Sequence, residues 1–392
     1  MAQHHSLSTR AIHADHEFLG PSAAVAPDIS LTTTFRQVQG LDESSSHPSN
    51  PVADIYARET RPVVTRVEKV LESVIGGPTA LFPSGIAAAF TILLHVRPDT
   101  VAISQGYHGV HQAIRIYRKT RGESNVALIA LDDEYPQGNT LAWLETPLNP
   151  TGECRSIEHY ARRAHEAGGQ LCVDSTFGPP PIQDPFKWGA DIIMHSASKY
   201  FGGHSDALLG TVSVRTPEEW YSLWDLRTYT GSCVGSLETW LLLRSVKTLV
   251  LRVPAQCETA TKLAAWLASI SRVKGSPSAE EGTTGFIEDV WHASLQDGAD
   301  RFVGAGKQMS IGSACFSFSM TSEKYAEHIG HNLSLFTPAA SLGAVESLIE
   351  QRILADPKAD PRMVRVSIGL ESFEDLKADL VAGFAKVKAM KV

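Results

Sequence analysis

Residues 191–206 read DIIMHSASKYFGGHSD. The opening DIIMHS is a short apolar run of the kind that forms a buried strand. It passes without a turn residue into Ser196-Ala197-Ser198-Lys199 and then Gly202-Gly203. A solvated surface lysine needs no such setting, and a buried amine without a partner is costly. The stretch therefore poses a question: what does a core strand deliver this lysine to?

Working outward, further strand candidates are TVAIS (100–104), NVALIALD (125–132), LAWLET (141–146) and QLCVDS (170–175). Helical patterns fall between several of them, as in IEHYARRAHEAG (157–168). Strands alternating with helices predict an α/β fold, a mostly parallel sheet covered on both faces. Upstream, TRVEKVLESVI (65–75) has helical spacing and stops at Gly76-Gly77. TALF (79–82) then leads through Pro83-Ser84-Gly85 into an apolar helix, IAAAFTILLHV. From about residue 221 the pattern becomes mainly helical, and Pro254 inside the long run predicts a break or kink there. After a polar stretch beyond Ser276 come strand-like SACFSFSM (313–320), a helix near 322–329, and MVRVSIGL (363–370). The expected organisation is an extended N-terminal arm (1–50), a large domain (51–245) and a smaller C-terminal α/β domain (246–392).

Composition narrows the class. The 392 residues are 43% hydrophobic and 20% charged with a net charge of −8, so nothing basic argues for nucleic acid or an anionic membrane. Five cysteines without CxxC spacing fit free thiols in a reducing compartment. The N-terminal His4, His5, His13 and His16 lack a helical pattern to align them and read as exposed histidines, so no metal is expected. No apolar run approaches membrane-spanning length and the first residues show no secretory core, which makes a cytoplasmic protein the expectation.

In an open parallel sheet, ligands bind beyond the carboxyl ends of the strands. Polar groups cluster at those ends: Ser104 to Tyr107, Glu145 to Asn149, Asp174, and Ser196 to Lys199. On spacing alone, Asp174 and Lys199 form either a buried ion pair or a pyridoxal phosphate site. In such a site the lysine forms a Schiff base with the cofactor aldehyde, and the aspartate keeps the pyridine nitrogen protonated. Ser84-Gly85-Ile86 before a helix, with Ser196 and Ser198, could cradle the phosphate. Neither GxGxxG nor GxxxxGK[ST] occurs, so dinucleotide and P-loop sites lack their fingerprint.

With these residues assembled, the chain resembles the transsulfuration family of pyridoxal-phosphate enzymes, which includes cystathionine γ-synthase, the cystathionine lyases, methionine γ-lyase and O-acylhomoserine sulfhydrylases. The resemblance runs from about Tyr56 to the C-terminus. It rests on YAR (56–58), PSGIAAA (83–89), YHG (107–109), ETPLNP (145–150), VDSTF (173–177), HSASKYFGGHSD (195–206), LLLRSVKTL (241–249), SLGAVESL (341–348) and VRVSIGLE (364–371), in order and in register. It implies fold-type I architecture and a role for each matching residue. Lys199 would carry the cofactor and move protons, Asp174 would meet the pyridine nitrogen, and Tyr107 would stack on the ring and assist proton transfer. Asn149 would approach the phenolic oxygen. Gly85, Ile86, Ser196 and Ser198 would hold the phosphate, with Tyr56 and Arg58 from a neighbouring subunit. Arg365 would clamp the substrate carboxylate, with Ser341 and Ala340 beside it and Tyr56 reaching the same substrate. A shared site implies a homodimer at least, and the family is usually tetrameric.

Several positions depart from the family. Arg61-Pro62-Val63 replaces asparagine-proline-threonine, Ser175 replaces asparagine, Ser198 replaces threonine, and Gly109 stands where methionine lyases tend to have cysteine. Ala340 occupies the position that often carries glutamate in synthases and γ-lyases, tyrosine in β-lyases and an apolar residue in methionine lyases. The expected activity is γ-replacement on an O-acyl-L-homoserine, most naturally the acetyl ester, by a second, nucleophilic substrate: a thiol or a carbon nucleophile. The alternatives are γ- or β-elimination and a non-catalytic binding module on the same fold.

Overall fold

In the computed structural model, residues 5–16, 24–36, 54–275 and 283–390 are described. Seven strands form the larger sheet: β1 (Thr79–Phe82), β2 (Thr100–Ala102), β3 (Ala127–Ile129), β4 (Thr140–Glu145), β5 (Gln170–Asp174), β6 (Ile192–His195) and β7 (Gly210–Ser213). Their order is β1-β7-β6-β5-β4-β2-β3. The run β6-β5-β4-β2-β3 is parallel, and β7 is antiparallel to both of its neighbours.

The central strands are buried along their whole length, and alternate side chains enter different cores. Leu141 and Trp143 join one apolar cluster, Ala142 and Leu144 the other. That two-residue alternation with apolar groups on both faces requires a layer of helices on each side. The helices are α1 (Leu7–His13), α2 (Pro62–Ile75), α3 (Gly85–Val96), α4 (His108–Arg121), α5 (Ile157–Glu166), α6 (Pro217–Thr230), α7 (Ser236–Val246) and α8 (Leu249–Ser269). Helices α3 and α4 cover the Trp143 face, and α2, α5, α7 and α8 the other.

A second sheet of five strands follows: β8 (Ile287–Trp291), β9 (Cys315–Met320), β10 (Thr337–Pro338), β11 (Leu348–Gln351) and β12 (Met363–Ser367). Its order is β10-β11-β12-β9-β8, antiparallel except between β10 and β11. Helices α9 (Ala299–Phe302), α10 (Glu323–Asn332) and α11 (Phe373–Ala389) complete this smaller C-terminal domain. Phe316, Phe318, Val364 and Leu380 continue the apolar cluster that begins under the larger sheet, so one core spans both sheets.

Two expectations need correction. The N-terminal segment is not simply extended: α1 is capped by Ser6, buries Ala11, and is followed by Asp15, which pairs with Arg66 of α2 at 2.7 Å. Seven residues are too few for helical periodicity to register in a sequence rich in Ser, Thr and His. His5 is exposed, and the described residues hold no cluster of three or more metal-ligating side chains; His4 lies outside them. The second correction concerns Pro254. It sits inside an uninterrupted α8, and the break falls at Lys247-Thr248 instead. Being near the helix start, the proline forgoes a single hydrogen bond to the preceding turn while the rest of the ladder continues. The polar stretch at 276–282 lies outside the described residues.

Candidate active site

The carboxyl ends of β4, β5 and β6 converge on a cavity of about 390 Å³. Asp174 is the last residue of β5, and Lys199 follows four residues after the end of the adjacent β6. Gly85, Ile86, Tyr107, Asn149, Ser196, Ser198, Ala340, Ser341 and Arg365 all line the same cavity. Tyr56 and Arg58 do not: both are exposed, with the guanidinium 5.5 Å from the tyrosine ring centre.

One wall is the start of α3. Ser84 caps it by accepting the Ala87 N–H at 3.0 Å, leaving the first N–H groups of the helix unpaired within it. A Cβ on Gly85 would lie 3.2 Å from Ser196 Oγ and from Met194 Cε, so only glycine leaves a hollow between the helix start and Ser196. The Ser198 hydroxyl is engaged elsewhere. It donates to the Leu209 carbonyl at 3.1 Å and accepts the Leu209 N–H at 2.8 Å, so its one proton is spent on the backbone.

The floor holds two buried carboxyls in register on neighbouring strands, Glu145 and Asp174. Thr176 donates both its N–H and its hydroxyl to Asp174 Oδ1 (3.0 and 2.6 Å), and its hydroxyl also accepts the Ser196 N–H. Burial pushes the Asp174 carboxyl up, and the Thr176 hydrogen bonds only partly oppose this. Glu145 is pushed up by burial and by the charge of Asp174. It accepts the Tyr107 N–H on one oxygen and the Asn149 N–H on the other, each at 2.7 Å. Sequence reasoning placed Glu145 at a strand end without a role; the one signal was that it opens the ETPLNP motif.

The opposite wall comes from the smaller domain. Lys199 Nζ donates to Ser341 Oγ at 2.8 Å. Burial lowers the pKa of that amine, and the nearby Arg365 guanidinium lowers it further. Ser341 has φ 142°, a region L-residues rarely adopt, and is pinned from two sides, since Arg365 Nη2 donates to its carbonyl at 3.1 Å. Gly343, at φ 78°, lets this turn pack on the lysine's own backbone, where a Cβ would stand 2.7 Å from the Tyr200 nitrogen. Arg365, on β12, also donates to Asn149 Oδ1 at 3.0 Å and pairs with Glu350 at 2.8 Å. Glu350 is shared with Arg352 at 2.7 Å, and both line the cavity, although sequence reasoning singled out neither.

A lowered lysine amine, a buried carboxyl on the adjacent strand and a helix N-terminus with a glycine hollow are the fittings pyridoxal phosphate needs: an aldehyde partner, a counter-charge for the ring nitrogen and an anion seat. The family comparison agrees. A sequence model of the family described as "Cys/Met metabolism PLP-dependent enzyme" matches residues 8–385. The chain belongs to this family.

Membership brings the cofactor, pyridoxal 5'-phosphate, and an amino-acid substrate. Among relatives in the family, the cystathionine beta-lyase of Lactococcus lactis subsp. cremoris is 29% identical over 402 residues, covering 97% of this chain and 99% of the relative. The cystathionine gamma-lyase of Saccharomyces cerevisiae is 30% identical, covering 95% of each chain. Among solved structures, apo CalE6, a methionine gamma lyase from Micromonospora echinospora, superposes with a TM-score of 0.82 at 28% identity, covering 98% of this chain and 100% of that one. The fold is thus that of fold-type I PLP enzymes. Among the described residues, no helix is long and apolar enough to cross a membrane.

Proposed function

We propose that this chain catalyses γ-replacement on an O-acyl-L-homoserine, joining Cγ to a sulfur or carbon nucleophile. Pyridoxal phosphate, held by Lys199, Asp174 and the start of α3, supplies an aldehyde for the substrate amine and a ring that accepts electrons from Cα. Asp174 holds the ring nitrogen's positive charge, and Tyr107 covers the ring. Gly85, Ile86 and Ser196 hold the phosphate, and Ser198 joins them only if its hydroxyl turns from Leu209. Asn149 gives its Oδ1 to Arg365, which leaves its amide NH₂ as the donor for the phenolic oxygen.

Arg365 grips the substrate α-carboxylate. Lys199, whose pKa burial lowers, would move the protons of Cα and Cβ one at a time and return both once the new bond at Cγ has formed. The Cγ–O bond would break to release the acyl group as a carboxylate, acetate for the acetyl ester, and a Cγ–S or Cγ–C bond would form, the proton lost by the nucleophile balancing the carboxylate released. Tyr56 and Arg58, exposed and remote from their own cavity, reach the phosphate, and Tyr56 the substrate, of a second copy in a dimer or tetramer.

The observation that carries replacement is Ala340. It adjoins Ser341, which holds the lysine amine, so the wall beside the proton carrier is a methyl group. That leaves room for a second reactant and puts no carboxylate at this position for the ammonium of cysteine, Glu350 being paired with Arg352 and Arg365, which favours a carbon or simple thiol nucleophile. Elimination, in which the same residues release a keto acid and ammonia, is the second reading; the names of the relatives favour it. Incubating the holo-protein with O-acetyl-L-homoserine and a panel of thiols, aldehydes and β-keto acids separates them. A mass-resolved adduct that keeps the amino group supports replacement. Keto acid and ammonia at the same rate with or without nucleophile overturn it, and cystathionine as the sole adduct removes the carbon-nucleophile form.

A further inference from the structure

Behind the first cavity lies a second, of about 440 Å³, between α10 and the edge of the smaller sheet. The two share three lining residues, Ala340, Glu350 and Ala355. Glu350 is already committed to Arg352 and Arg365, so the rest of the shared wall is two methyl groups.

The chemistry of the second cavity differs from that of the first. Among the described residues its lining contains no lysine or arginine; Glu327, His331 and Gln351 are its polar members besides Glu350, and the rest, from Pro338 and Ala339 to Ala355, is apolar. Leu354 lines it as well and is 79% exposed, an apolar side chain left in water. Gly330 lines the cavity from the last turn of α10. A Cβ there would stand 3.3 Å from Ile349 Cγ2 and 3.8 Å from Pro338 Cβ, so the glycine lets α10 pack closely on the sheet edge beside the cavity.

We propose that this second cavity is the subsite for the second reactant, and that it takes an uncharged, mainly aliphatic chain whose nucleophilic end lies at Ala340 and Ala355. The assignment to the second reactant rests on the replacement reading above. An apolar lining without a cation selects by chain length, at about fourfold per methylene buried.

The test uses the holo-protein and two unreactive probes, 1-propanol and 1-hexanol, titrated by calorimetry. Hexanol should bind at least about tenfold more tightly. Ala339→Leu, which adds bulk to the lining, should abolish that ratio while the visible absorbance of the cofactor is retained. Leu354→Ser, a change at an exposed position, should weaken hexanol severalfold without moving the melting temperature. In turnover with O-acetyl-L-homoserine, the preference for hexanethiol over ethanethiol should fall in both variants. Equal binding of the two alcohols, or a preference that survives Ala339→Leu, overturns the subsite. Hexanol selectivity without any thiol adduct leaves the cavity's chain-binding intact and overturns its assignment to a second reactant, together with the replacement reading.

Discussion

Lys199 Nζ and Ser341 Oγ lie 2.8 Å apart, joining the end of the larger sheet to a strained turn of the smaller domain. The hydroxyl fixes where the amine points, and a proton carrier misplaced by an ångström loses much of its effect. Ser341→Ala should lower kcat by roughly 10- to 100-fold with the cofactor's visible absorbance intact. Lys199→Ala should abolish both turnover and the characteristic yellow band. Stopped-flow spectra of the two variants distinguish these outcomes, and a Ser341→Ala enzyme with unchanged kcat would show that the contact does no work.

Glu145 organises two other active-site residues through their backbone. Its two oxygens each accept one N–H, from Tyr107 and from Asn149, and so tie both backbones to the end of β4. Glu145→Gln puts an NH₂ against one of those donors and Glu145→Ala leaves both without an acceptor. Glu145→Gln should cost about 1–3 kcal/mol of stability, the cost of one stranded donor, and Glu145→Ala should cost more. Cofactor affinity should fall with it. Denaturant midpoints and cofactor titration of the apo-protein measure the two effects.

The strand-to-lysine run, the β4 and β5 ends and the small-domain strands were legible because each is written in local code. Apolar strands ending in polar residues announce a parallel sheet and its functional edge. What the sequence hid is set by distant contacts. Helix α1 is held by the buried pair of Asp15 and Arg66, fifty-one positions apart, and not by its own periodicity. The engagement of Ser198 depends on Leu209 across a turn, so the present partner of a hydroxyl beside the lysine cannot be read from its neighbours in sequence. Glu350 and Arg352 carry no motif at all; only the pairing of β11 with β12 brings them beside Arg365.

Arg365 offers one guanidinium to three acceptors: Asn149 Oδ1, the Ser341 carbonyl and Glu350. Lysine keeps the charge but cannot present that planar fork. Arg365→Lys should therefore raise KM for the amino-acid substrate about tenfold or more, an effect on ground-state binding. Because Ser341 and Asn149 would also lose a donor, kcat should fall as well, but by less. Steady-state kinetics with varied amino-acid substrate give the split, and a fall in kcat with KM unmoved would place the carboxylate elsewhere.

Two buried histidines set an acid limit on stability. Burial lowers His292 to about 4, although Ser313 accepts from its ring, and lowers His195, whose ring nitrogens find no hydrogen-bond partner among the described residues, to about 3. Their folded pKa values lie below the unfolded value near 6.5, so the unfolded chain binds more protons in between. Stability is then fully present above pH 6.5 and is lost as pH falls toward 4, by about 1.4 kcal/mol per unit for each histidine. The raised carboxyls of Asp174 and Glu145 act with the opposite sign in part of that range, so the comparison has to be differential. His195→Leu removes one titrating group and two unpartnered buried nitrogens. It should melt no lower than the wild type at pH 7 and lose less than the wild type between pH 7 and 5. Thermal midpoints of both proteins at the two pH values test this, and parallel losses would mean that His195 is not the group being protonated.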